Sequence, residues 1–170
     1  LIKQENVPQN MIEVFEKGFY TEMMIYSKRM IVFQMVLDAL NRQKIKHIIV
    51  KGMSYAKCYP QTEFRTMGDL DLIICENDIQ RADNVLEELG GQLNYESSNQ
   101  KIHHYILRKY HIELHTSIGY AGRFYQAYNY ETYFQAAIQN SVCIDGYTYE
   151  FAPYYKVIYG IFHIAKHFYE

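Results

Sequence analysis

The stretch GDLDLII, residues 68–74, sets two acids one residue apart inside an apolar run. Leu70, Leu72, Ile73 and Ile74 call for burial, whereas Asp69 and Asp71 are among the side chains least tolerant of it without a partner. Successive side chains of a strand alternate between its faces. Leu70 and Leu72 are therefore expected in a core, with Asp69 and Asp71 together on the opposite side. Two carboxylates so close repel, and the relief is a raised pKa on one of them or a cation between them. Mg²⁺ suits such a place, because it takes hard oxygen ligands, one or two carboxylates at a time, and completes its shell with water and substrate phosphate.

A third acid stands in His111-Ile112-Glu113-Leu114-His115. If this segment is a strand, Ile112 and Leu114 share one face and Glu113 shares the other with His111 and His115. Placed beside residues 69–74, it would bring Asp69, Asp71 and Glu113 into one site able to hold two ions, the arrangement suited to in-line displacement at phosphorus. Upstream, Val50-Lys51-Gly52-Met53-Ser54 offers a strand, a glycine that permits close backbone approach, and a helix start whose free amides attract phosphate oxygens. Ser54 would add a hydroxyl and Lys51 a charge. Arg65 has a fork shaped for phosphate, or for pairing with one of the acids. His115 is expected to hydrogen-bond a neighbouring carboxylate and fix its rotamer. A lone Asp-x-Asp is more often surface decoration, and strand-glycine-helix is commonplace; the specific signal is the order and spacing of the whole set.

Around this centre the chain alternates helix and strand. The first forty-five residues read as helices, with Met30, Phe33, Leu37 and Leu40 at three- and four-residue steps and Gly18 expected to divide a short helix from a longer one. His47-Ile48-Ile49-Val50 reads as a buried strand, and residues 54–59 as a brief helix stopped by Pro60. Asn77 and Gln80 resemble a capping box at the head of a helix striped by Ile79, Ala82, Leu86 and Leu89 and ended by Gly90-Gly91. Two strands follow, 102–107 and 110–116, turned at Arg108-Lys109. A helix is expected over 130–139, a hairpin over 142–150 centred on Asp145-Gly146, and a last helix over 154–170, whose unstopped apolar stripe is read as running on into a longer polypeptide.

Composition narrows the function classes. Seventeen basic and nineteen acidic residues leave a formal charge of -2, which excludes a general basic field for nucleic acid. No apolar run approaches the ~20 residues that span a bilayer. The start of the chain carries charges and a proline where a signal peptide needs an apolar region. Cys58, Cys75 and Cys143 lack metal-finger spacing and are read as reduced core filler in a cytoplasmic protein. The eighteen tyrosines with no tryptophan read as half-buried packing. His163 and His167 are four apart, but HIAKH lacks the glutamate of a metalloprotease motif and reads as a packed or partner-facing pair. His103 and His104 are neighbours on a strand, face opposite sides, and carry no functional claim.

The order hydrophobic strand, Lys-Gly, short helix to Tyr-Pro, then Arg-x-Met-Gly-Asp-Leu-Asp-Leu-Ile resembles the polymerase-beta-type nucleotidyltransferase superfamily. VKGMSYAKCYPQTEFRTMGDLDLII is most similar to its bacterial branch of uncharacterised nucleotidyltransferases, and the likeness continues through ADNVLEELGG and IELH, from about residue 48 to 115. The resemblance implies an α+β fold: a nucleotidyltransferase-like mixed sheet flanked by helices, with N-terminal helices and a C-terminal helical part. It implies a nucleoside triphosphate substrate, Mg²⁺ or Mn²⁺, and transfer of a nucleoside monophosphate to an acceptor hydroxyl, by two metals, on a small molecule or a protein. Asp69, Asp71 and Glu113 would then be the catalytic, metal-holding acids; Lys51, Gly52, Ser54 and Arg65 would lie at the nucleotide. The superfamily's glycine is followed directly by glycine or serine, whereas Met53 intervenes here, a departure that weakens the Ser54 assignment more than the metal site. The expected organisation is a helical segment over 1–45, the nucleotidyltransferase core over 46–118, and an incomplete helical and hairpin segment over 119–170. The rival from another class is a catalytically silent nucleotide-binding or protein-interaction module of the same fold.

Overall fold

A computed structural model describes residues 7–117 and 130–169 of the chain. The expectations for the first six residues, for 118–129 and for residue 170 lie outside the described residues. The fold is a mixed α/β structure with a seven-stranded sheet: β1 (His47–Val50), β2 (Asp69–Ile74), β3 (Gln92–Leu93), β4 (Ile102–Leu107), β5 (Tyr110–His115), β6 (Val142–Asp145) and β7 (Thr148–Glu150). The spatial order is β3-β4-β5-β2-β1-β7-β6. β2 runs parallel to β5 and β1 parallel to β7, and the other neighbours are antiparallel. The described helices are α1 (Gln9–Arg42), α2 (Gly52–Ala56), α3 (Ile79–Glu88), α4 (Tyr130–Gln139) and α5 (Pro153–Tyr169).

Strand alternation divides the interior in two. Ile49, Leu70, Leu72, Ile74, Ile112 and Leu114 face one way and pack with Phe33, Val36 and Leu40 of α1 and Ala82 and Leu86 of α3. On the other face Ile48, Val50 and Ile73 meet Phe134 and Ala137 of α4 and Tyr155 and Tyr159 of α5. Asp69 and Asp71 share this second face with Ile73, further along the strand. The hairpin of the expected C-terminal segment joins the same sheet, at the edge of β1.

Several local expectations are corrected. α1 is one helix of 34 residues that passes through Gly18 without a break. A helical glycine costs only about 1 kcal/mol relative to alanine, and propagation through long flanking helix absorbs it. No side chain caps α3: a 3₁₀ turn over Glu76–Asp78 leads into it, and Gln80 Nε2 donates instead to Asn84 Oδ1 at 3.3 Å. α2 starts at Gly52 rather than 54, β5 ends at His115, and the last hairpin turns at Gly146-Tyr147. The strand Gln92–Leu93 has too few residues to show a period. All three cysteines are free and exposed, not core filler: Cys58 and Cys75 lie just past the ends of α2 and β2, and Cys143 is on the edge strand β6. Among the described residues no helix is long and apolar enough to cross a membrane.

A buried polar chain ties β7 to the core. Asn41 Nδ2 donates to Thr148 Oγ1 at 3.0 Å, that hydroxyl donates to His47 Nε2 at 2.8 Å, and His47 Nδ1 donates to the Ile45 carbonyl at 2.9 Å. Burial holds the His47 imidazole below its ordinary pKa, which keeps the neutral tautomer this chain of bonds requires.

Candidate active site

The parallel pairing of β2 with β5 sets Asp71 directly beside Glu113, and the β4–β5 hairpin sets His104 on the other side of Glu113. With Val50 opposite Asp71 on β1, one row crosses four strands: Val50, Asp71, Glu113, His104. His115 lies one pleat further along. Its Nε2 is 3.1 Å from Asp71 Oδ1 and 3.1 Å from Glu113 Oε2, while His104 Nδ1 is 3.2 Å from Glu113 Oε1. Both oxygens of Glu113 are thus engaged.

Lys51 closes the group from β1. Its ammonium ion-pairs with Asp71 Oδ1 and lies 3.8 Å from Glu113 Oε2. The backbone there is strained: Lys51 has φ 54° and ψ -129°, a conformation that side-chain-bearing residues rarely adopt. Gly52 follows at the start of α2, and a Cβ on it would stand 2.9 Å from Met67 Cβ. Only glycine lets residues 65–68 fold back over this turn and lead directly into Asp69.

Electrostatics mark the group as a set of acids short of cations. Burial, then the neighbouring Asp71 carboxylate, raise the Asp69 pKa against the opposing pull of Lys51. Burial would raise Glu113 too, but the hydrogen bond from His115 and the charge of Lys51 prevail and hold its carboxyl down to about 2. For His115 burial opposes the charged form, and the hydrogen bonds to Asp71 and Glu113 overcome it, so its pKa is raised. The imidazolium and the Lys51 ammonium are the group's own counter-charges. They do not complete it: Asp71 Oδ2 is buried with no hydrogen-bond donor among the described residues.

A cavity of about 550 Å³ opens over this group, walled by Lys51, Gly52, Tyr55, the 65–68 loop, Asp69, Ile102, His104, Glu113, His115 and His163, with Asp71 buried behind that wall. Ligand atoms of Asp71, Glu113 and His115 lie within 4.8 Å of one another. Asp69 is on the cavity wall but outside that closest group. A divalent cation fits this donor set, since hard carboxylate oxygens, one of them orphaned and buried, converge where positive charge is deficient.

Asp71 and Glu113 therefore stand side by side, with Asp69 one pleat away on β2 and Lys51, Gly52 and Arg65 around them. Ser54 does not join: it is 3 % exposed and outside the cavity wall. Arg65 donates from Nη1 to the Thr66 carbonyl at 2.8 Å and pairs with none of the acids. His103 binds Asp83 instead, at 2.9 Å, away from the cavity. His163 reaches the wall; the His167 side chain lies outside the described part. Sequence reasoning missed His104, although a signal existed: a two-residue turn at Arg108-Lys109 makes each residue before it face its mirror image beyond, and His104 mirrors Glu113. Tyr55 was missed as well. Its hydroxyl donates to the Lys156 carbonyl at 2.5 Å and fastens α2 to α5, a contact with no local signature.

A family model described as uncharacterised nucleotidyltransferase matches residues 4–170, and the chain belongs to that family. No curated protein matches it. Among solved structures it is similar to a candidate nucleotidyltransferase from Thermotoga maritima, with 16% identity and a TM-score of 0.41. That match covers 52% of this chain and 56% of the other, so the chain spans about half the length of that relative.

Proposed function

We propose that this member of the uncharacterised nucleotidyltransferase family moves a nucleoside monophosphate from a nucleoside triphosphate to an acceptor hydroxyl. One observation carries the reading: Asp71 and Glu113 stand side by side across parallel strands, with Asp69 one pleat away and a buried carboxylate oxygen left without a donor. Asp69, Asp71 and Glu113 would hold Mg²⁺ or Mn²⁺, one ion or two. When bound, the metal would neutralise triphosphate charge and acidify the acceptor hydroxyl.

The chain's own residues would do the rest. Lys51, Gly52 and Arg65 line the cavity where the triphosphate would lie, with Arg65 offering its fork and the Gly52 turn a close backbone approach. The acceptor oxygen forms a bond to the α-phosphorus as the bond to pyrophosphate breaks, and the hydroxyl proton passes to a Glu113 oxygen. A carboxyl held down to about 2 stays ionised, but it is a weak base, so positioning and charge neutralisation supply most of the rate. His115 and His104, one on each Glu113 oxygen, orient it. The exposed free thiols suit a reducing compartment, and the cytoplasm is where we place the reaction.

The test is nucleotide binding with and without Mg²⁺, comparing the parent with Asp69→Ala/Asp71→Ala. Metal-dependent binding lost in the variant is the expected result. One observation favours the silent-module reading, namely that the Lys51 ammonium already sits on Asp71. Nucleotide binding that needs no metal and survives in the variant would establish that reading instead. Incubating each α-labelled triphosphate with cell extract then shows what carries the label, a small molecule or a protein.

A further inference from the structure

Beside the acid cavity lies a second one of about 320 Å³, between α1 and the other side of the 65–68 loop. Four charged side chains line it: Glu22 and Arg29 from α1, Glu63 and Arg65 from the loop region. Opposite charges gathered round so small a space ordinarily close on each other, yet among the described residues no ion pair joins any two of these. Arg29 is the more telling. Its guanidinium stands 5.8 Å from the Tyr110 ring centroid, and its Nε is buried with no acceptor among the described residues. A desolvated N–H of a cation is costly to leave unmet, and a guanidinium fork is shaped for an oxyanion. Arg65 belongs to both cavities, and the loop it heads runs straight into Asp69.

We propose that this second cavity is the acceptor subsite and that it takes a small hydroxyl compound bearing one oxyanion group, phosphate or carboxylate, held by Arg29 and by Arg65, whose fork stands between the two cavities and would bridge the acceptor and the triphosphate. The assignment rests on the nucleotidyl-transfer reading given above. Three features define the class. The volume lies at the low end of small-molecule sites, which suits a compact compound rather than a protein surface. Two arginines call for an anion. Glu22 and Glu63 work against a polyphosphate, so the subsite would discriminate the acceptor from a second nucleotide.

The experiment is calorimetric titration of the intact chain with inorganic phosphate, repeated in Asp69→Ala/Asp71→Ala, Arg29→Met and Arg65→Met, each checked for folding by circular dichroism and melting. Saturable binding is expected, weakened about tenfold or more in each arginine variant and unchanged in the acid variant. It should persist when Mg²⁺ and a non-hydrolysable triphosphate are also present. No saturable binding to the folded parent, binding equal to the parent's in folded Arg29→Met and Arg65→Met, or binding lost with the acids would each overturn the proposal. In the extract-labelling reaction Arg29→Met should lose label transfer while keeping metal-dependent nucleotide binding; transfer at the parental rate would also overturn it. The transfer reading fails by a different sign, absence of metal-dependent nucleotide binding with phosphate binding intact.

Discussion

Two buried polar groups lie on neighbouring strands and are built on opposite terms. In the chain Asn41–Thr148–His47–Ile45 the donors and acceptors match one to one, and no charge is involved. In the group of Asp69, Asp71, Glu113, Lys51 and His115 the charges outnumber their partners, an acid oxygen is orphaned, and the backbone that carries Lys51 is strained. The first is a fastening that holds β7 to β1. The second gives up stability to keep a place for something outside the chain, as strained and under-satisfied sites commonly do.

The comparison can be broken most sharply through binding. Asp71→Ala should weaken metal-dependent nucleotide binding by about a hundredfold or more, read by calorimetry with and without Mg²⁺. Thr148→Val, nearly the same shape, should leave that binding unchanged and cost about 2–3 kcal/mol in urea unfolding, because it strands the buried Asn41 amide and His47 Nε2. If the valine variant lost binding and kept its stability, the two groups would have been assigned the wrong way round.

Acid and base titrations of stability sharpen it further. The folded pKa of His47 is depressed, so below about 6.5 the unfolded chain takes a proton that the folded chain refuses, and stability falls with falling pH by up to about 1.4 kcal/mol per unit. The folded pKa of His115 is raised, so its contribution is full below 6.5 and fades as pH climbs through the folded value. Glu113, held down to about 2 from an ordinary 4.5, adds stability above 4.5 that is lost as pH falls towards 2. Unfolding curves from pH 3 to 9 should therefore lose their alkaline decline in His115→Gln and part of their acid decline in Glu113→Gln. The smallest change in stability is expected of Asp69→Asn. Removing a carboxylate that burial and Asp71 disfavour should raise stability by about 0.5–1 kcal/mol while abolishing metal-dependent binding, a gain visible in thermal melts.

Much of the site is legible in one dimension. Alternation alone puts Asp69 with Asp71 and Glu113 with His115, and the Arg108-Lys109 turn brings His104 opposite Glu113. The cysteines and Gly18 were misread because local pattern reports what a residue prefers and not what the rest of the chain lays over it. Gly52 and Tyr55 of α2 line the cavity, and Ser54 between them is buried. The cysteines fall where no layer covers them.

By itself the sequence determined which faces are apolar, where strands turn, and which side chains travel together on one face, because these follow from periods of two and 3.6 residues and from glycine and proline. Only the tertiary structure decided that β2 lies parallel to β5, that Lys51 bends back onto Asp71, and that α1 and the 65–68 loop enclose Arg29. Those neighbours are separated by tens of residues, and their meeting is governed by how two apolar layers bury a common sheet, which no short window of residues encodes.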